Sequence, residues 1–333
     1  MNWLPLVLAV SANPAAVADR IDDVRQQVPA IYEAGHFYAA PETRDGQRLR
    51  LLVDTGGGGG SGLYVIHADA ARRLGVPITS CAAGSEHFDV IAAIPFRPGA
   101  SLPKSIATPC DAVAVVTKGT GSSDDGVLGA GFMPGRIWTF DYPHAQLWIE
   151  PGHWHAPADL HSGPLGFLRD DKGRLESGMP RITLQVDGKG VEMLLDTGAT
   201  AVPTPEGAQA SGTPTVHGIG VTSYIATRVL DGWHHQHPQW RIVANGDALI
   251  GQTPTRLIEV PSVEIAGWST GPVWFTERPD KAFSDYMAPY MDQPIEGSLG
   301  ANVFGHFVMT IDYRASTAWF ACASGCKVAR KHP

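Results

Sequence analysis

Charge is scarce in this chain. Of its 333 residues only 17 % are Asp, Glu, Lys or Arg, and 33 acids against 25 bases leave a net charge of −8. No basic cluster breaks that balance, which argues against nucleic acid as a partner. Long apolar runs are missing too. One run, Trp3 to Val10, opens the chain. It is too short to span a bilayer, so no integral membrane segment is expected. Cysteine is down to four, and none sits beside the small residues that follow that run, so a lipid anchor there has no support. Five consecutive glycines, Gly56 to Gly60, are followed by neither Lys-Ser nor Lys-Thr, which excludes a phosphate-binding loop. His234, His235 and His237 crowd together with no acidic partner evident. They read as a loop, and no metal site is expected.

What the chain does have is glycine and proline, 38 and 26 of them. That mix belongs to a turn-rich, mainly β protein. The length allows one large domain or two medium ones, with a sizeable core. Residues 1–18 carry an export pattern, in which the apolar run leads to Ala16-Val17-Ala18, although no Lys or Arg precedes it. The expected location is therefore periplasmic or secreted. Residues 19–34 read either as a pro-segment or as a first strand. Four cysteines fit an oxidising compartment and allow three pairings. Cys81–Cys110 with Cys322–Cys326 keeps each bond within one half of the chain; four free thiols are the alternative if the chain is not exported.

An internal repeat organises the rest. Residues 126–149, GVLGAGFMPGRIWTFDYPHAQLWI, lie over 297–320, GSLGANVFGHFVMTIDYRASTAWF, without a gap and with eight identities in 24 positions. Upstream of each copy stands one Asp-Thr-Gly at the end of an apolar stretch: LLVDTG at 51–56 and LLDTGA at 194–199. The order Asp-Thr-Gly, Leu-Gly-Ala, Asp-Tyr thus occurs twice. It divides the chain into a lobe at 35–150, a linker at 151–177 rich in Pro, Gly and His, a second lobe at 178–326 and a tail at 327–333. Short strands are expected at 48–53, 110–116 and 261–267, a hairpin at 181–196 turning at Asp187-Gly188, and a short helix at 67–75. Trp138, Trp148, Trp319 and Phe320 read as core.

These paired motifs resemble the two halves of an aspartic peptidase, of the retropepsin-like branch fused into a pepsin-like, two-lobed chain. The resemblance spans about residue 35 to 320. It implies two homologous, closed, barrel-like β lobes about a pseudo-two-fold axis. It makes Asp54 and Asp196 a catalytic dyad that shares one proton and activates water. It gives Thr55 and Thr197 the task of locking the two loops together, and Gly56 and Gly198 that of close backbone approach. Leu128, Gly129, Leu299 and Gly300 would shield the aspartate loops. Residues 215–232 are similar to a glycine-rich flap hairpin, with Gly218, Ile219 and Gly220 at its tip. The implied substrate is a peptide or protein, with no cofactor, and a monomer is expected because both lobes lie in one chain.

Two departures from the family pattern carry expectations. The glycines at Gly57 to Gly60 lengthen the first loop, which leaves a second reading open: a catalytically impaired protein of this fold that binds peptide or acts as an inhibitor. The residues after the two Asp-Thr-Gly motifs are Gly57 and Ala199, where many acid-active relatives have a hydroxyl. Losing that hydrogen bond raises the pair's pKa values and moves the expected optimum toward about pH 5–7.

Overall fold

A computed structural model describes residues 24–57, 64–83, 86–99, 102, 109–117, 124–158, 160–249 and 253–329. The export pattern at 1–18 and the glycines at 58–60 lie outside the described residues.

The protein is mainly β and two-lobed, and a six-stranded sheet joins the lobes. From one edge its strands are Gln26–Val28, Gln146–Glu150, Ile137–Asp141, Phe307–Asp312, Thr317–Cys322 and His161–Pro164. The two central strands come from the two copies of the repeat and run antiparallel, with Thr139 directly opposite Thr310. Thr139 and Thr310 are also equivalent positions of the repeat. A residue that pairs with its own counterpart marks a two-fold axis, and the two hydroxyls meet there at 2.8 Å. Outward from this axis the strands match in pairs. Gln26–Val28 lies on Gln146–Glu150 as His161–Pro164 lies on Thr317–Cys322.

Strands also stand outside the expected bounds of the lobes. Gln26–Val28 and Ala30–Glu33 are strands within the stretch 19–34. Residues 161–164, expected in a linker, form an edge strand on the second repeat. His161 stacks on Trp268 at 4.3 Å, which holds it against the sheet. At the far end of the chain Cys326–Val328 pairs with Trp268–Thr270 in a separate, ten-stranded sheet, so strand structure reaches Val328, into the residues expected as a tail.

Each lobe adds its own large sheet. The first runs Ala30–Glu33, His36–Ala39, Leu51–Val53, Gly126–Leu128, Tyr64–His67, Val113–Val116, Glu86–Ile91 and Thr79–Ala83. The second places Arg181–Val186, Lys189–Leu195, Gly297–Leu299, Ser223–Ala226, Val273–Arg278, Thr255–Val260 and Ile242–Asp247 in the same order, and extends the opposite edge with Val263–Ile265, Trp268–Thr270 and Cys326–Val328. Both sheets are open, with two edges each, rather than the closed barrels that the resemblance implies. The hairpin at 181–195 shows how pattern becomes structure. Ile182, Leu184 and Val186 alternate into the core, and Asp187 and Gly188 supply the two positive φ angles, 51° and 71°, that a tight turn between twisted strands requires.

The expected flap over 215–232 is absent. Residues Val216 to Ile219 make a tight turn, closed by reciprocal backbone bonds of 2.9 and 3.0 Å, with His217 and Gly218 at φ 53° and 79°. The chain then enters the strand Ser223–Ala226 and the helix Thr227–Gln236. The glycine pattern stops at Gly220, and beyond it Leu230 and Trp233 follow helical spacing and are buried. Hairpins do stand at equivalent places in the two sheets, at 79–91 and 242–260.

One continuous core threads both lobes. Phe37 and Phe140 pack against Tyr142, which meets Phe304 of the second repeat at 5.4 Å. Trp138 and Phe320 are fully buried. Trp148 and Trp319, expected in the core, are partly exposed on the outer side of the joining sheet, where Arg25 covers Trp148 and Trp154 leans on Trp319. Disulfides join Cys81 to Cys110 and Cys322 to Cys326. Among the described residues no helix is long and apolar enough to cross a membrane.

Candidate active site

Asp54 and Asp196 each follow the last residue of an apolar strand, Leu51–Val53 and Lys189–Leu195. A parallel neighbour flanks each strand: Val53 lies opposite Leu128, and Leu195 opposite Leu299. The Asp54 N–H donates to the Leu128 carbonyl at 3.0 Å and the Asp196 N–H to the Leu299 carbonyl at 2.9 Å. Leu128 and Leu299 are themselves fully buried. Next to Leu299, the Gly300 N–H donates to Ser223 Oγ at 3.0 Å. Next to Leu128, Gly129 leads into the short helical turn Ala130–Phe132, and the Ala130 N–H reaches the Gly57 carbonyl at 3.0 Å. The same local sequence therefore makes the same local turn twice.

The threonines tie the turns together across the axis. Thr55 Oγ1 donates to the Leu195 carbonyl at 2.6 Å and accepts the Thr197 N–H at 3.0 Å. Reciprocally, Thr197 Oγ1 donates to the Val53 carbonyl at 2.7 Å and accepts the Thr55 N–H at 3.1 Å. All four bonds are buried. A hydroxyl that donates and accepts at once satisfies two backbone groups of the opposite strand end, and strand ends this close leave little room. A Cβ on Gly56 would lie 2.5 Å from Asp196 Cγ, and one on Gly198 would overlap the Asp54 carboxyl.

The two carboxyls lie face to face across the axis, each against the other loop's glycine. Gly56 N–H donates to Asp54 Oδ1 at 2.9 Å and Gly198 N–H to Asp196 Oδ1 at 3.0 Å. Burial raises both pKa values above the usual carboxylate range. For Asp54 the amides of Gly56 and Gly57 oppose that rise, while the nearby Asp124 charge adds to it. For Asp196 the charge of Asp54 adds to burial, and the Gly198 amide opposes it. Burial and mutual repulsion together oppose ionisation of both acids at once.

No family model matches the sequence, and no curated protein matches it. Among solved structures the chain is similar to the aspartic proteinase from Irpex lacteus, at 12 % identity and a TM-score of 0.46, over 91 % of this chain and 98 % of that one.

The structure draws together Asp54, Thr55, Gly56, Leu128, Asp196, Thr197, Gly198 and Leu299. Gly218 and Ile219 sit in the exposed turn described above, and Gly220 pairs with Ala201 just beyond the Asp196 loop. Several neighbours of the pair escaped sequence reasoning. Asp124 is buried with its carboxylate 3.3 Å from His67 Nδ1. Ser298, buried opposite Leu194 in the strand beside the Asp196 strand, occupies the position that Val127 holds in the first repeat. His36 reaches the Asp196 loop from the other lobe. The repeat alignment contained the Ser298 signal; the approach of His36 had none.

Proposed function

We propose that this chain is an exported aspartic-type endopeptidase in which Asp54 and Asp196 activate water against a peptide bond. The observation that carries the reading is the pair of buried carboxyls placed face to face at a pseudo-two-fold axis by reciprocal threonine bonds, with burial raising both pKa values. Few structural roles call for two buried acids face to face, because like charges at this range oppose each other's ionisation. Export is supported by the Ala16-Val17-Ala18 pattern and by the Cys81–Cys110 disulfide.

The chemistry follows from the two protonation states. Ionised Asp54 takes a proton from water as the water oxygen attacks the scissile carbonyl carbon. Protonated Asp196 gives its proton to the carbonyl oxygen, which leaves a neutral gem-diol. The proton now on Asp54 passes to the peptide nitrogen, Asp196 recovers a proton from a gem-diol hydroxyl, and the C–N bond breaks to acid and amine. The pair returns to its starting state, with one water consumed.

The test is hydrolysis of an unstructured protein such as denatured casein by the mature chain across pH 3–8, beside Asp54→Asn and Asp196→Asn. The expected result is turnover that both substitutions remove and that a statine-type peptide inhibits. Tight binding of peptides without turnover would overturn the enzyme reading in favour of a binding protein of the same fold.

A further inference from the structure

Thr200, four residues beyond Asp196, is gripped from three sides. Its hydroxyl donates to the Gly198 carbonyl at 2.8 Å. His36 Nε2, from the first lobe, lies 3.2 Å from that hydroxyl. The Tyr224 hydroxyl accepts the Thr200 N–H at 2.9 Å and donates to the Thr200 carbonyl at 2.5 Å. The grip has its own foundation. The Arg278 guanidinium sits 4.1 Å over the Tyr224 ring, and Arg278 pairs with Asp247 at 3.4 Å, both of them buried. His36 is 1 % exposed, and burial holds its ring neutral, with a pKa of about 4. Position 58, which corresponds to Thr200 when counted from Asp54, is a glycine and carries no hydroxyl.

We infer that His36, Thr200 and Tyr224 are positioning residues that hold the Gly198 peptide so that its N–H stays on Asp196 Oδ1. The inference rests on the proposed role of the Asp54–Asp196 pair and adds an asymmetry to it. Asp196 stands on a braced turn, and Asp54 is followed by a run of glycines. Releasing the brace weakens the one backbone amide that favours ionised Asp196, so the pair's upper titration step moves up in pH. The titratable groups around Asp196 are Asp54, Tyr142 and Tyr224, and those around His36 are Arg50 and Tyr38. None of them is changed by a substitution at Thr200.

The experiment combines carboxyl carbon NMR titration of aspartate-labelled mature protein with peptide hydrolysis, for Thr200→Val, Thr200→Ser and Tyr224→Phe. Thr200→Val is expected to raise the upper titration step by about half a unit or more and to lower kcat about tenfold, the effect of one buried hydrogen bond, with KM nearly unchanged. Thr200→Ser restores the wild-type titration. Tyr224→Phe, which removes a single oxygen, moves the step in the same direction and reads the brace even if Thr200→Val does not fold. Wild-type titration in both Thr200→Val and Tyr224→Phe would overturn the inference. A wild-type protein that cleaves nothing would overturn the peptidase reading alone, because the titration does not need turnover.

Discussion

Replacing Thr55 by valine keeps the shape of the side chain and removes one oxygen. That oxygen serves two backbone groups of the second lobe, the Leu195 carbonyl and the Thr197 N–H. Both are buried, so neither finds water when it is gone. A buried donor or acceptor left without a partner costs about 1–3 kcal/mol, so the substitution should cost about 2–6 kcal/mol. That is a large share of the ~5–15 kcal/mol that holds a typical domain folded. Thr197→Val strands the equivalent pair, the Val53 carbonyl and the Thr55 N–H, so the two single substitutions should cost the same within about 1 kcal/mol. The double substitution should cost less than the sum. Once one threonine is lost the turns part, and the second oxygen has less left to hold. Urea unfolding followed by tryptophan fluorescence measures all three. A cost below about 0.5 kcal/mol for either single change, or a large cost on one side only, would refute the argument that the turns are locked reciprocally.

Three further outcomes follow from the same geometry. Because burial and Asp54 raise the folded-state pKa of Asp196, its proton is bound more tightly in the folded chain than in the unfolded one. The stability from this group is complete below the unfolded carboxylate pKa of about 4 and is lost as pH rises through the folded value; Asp196→Asn should flatten that fall in unfolding curves recorded across the range, and an unchanged slope would contradict it. Gly57→Ser, which would place a hydroxyl beside the first Asp-Thr-Gly, should push a Cβ onto Asp54 Oδ2 and cut hydrolysis at least about tenfold; equal or better activity at low pH would count against this placement of the loop. Reducing the Cys81–Cys110 bond, which spans 29 residues, should cost about 3–4 kcal/mol of stability by loop entropy, and an unfolding midpoint indifferent to reductant would argue against the pairing.

How much could be read in the chain differs from residue to residue. The turns at Asp54 and Asp196 were legible because a strand, an acid and a glycine in sequence are a local instruction, and the repeat at 126–149 and 297–320 showed it issued twice. The turn at Asp187-Gly188 and the helix at Ala68–Arg73 were legible for the same reason. The flap was misread because glycines at 218 and 220 look alike whether they tip a long hairpin or a four-residue turn; the helical spacing of Leu230 and Trp233 decided the matter. Trp148 and Trp319 were misplaced because strand alternation says which residues share a face but not which face is covered. His36 lay beyond sequence reasoning, since it is 164 positions from the threonine it touches.

By itself the chain determined a turn-rich β protein built from one unit used twice, and two carboxylates offered on equivalent loops. Those properties live in contacts between residues close in sequence, where propensity and periodicity act directly. Only the tertiary structure decided that Thr139 faces Thr310, that Gln26–Val28 and His161–Pro164 complete the joining sheet, and that threonines 142 positions apart exchange hydrogen bonds. The raised pKa values of the acids belong with these, because desolvation and the nearness of a second charge exist only after the lobes have docked.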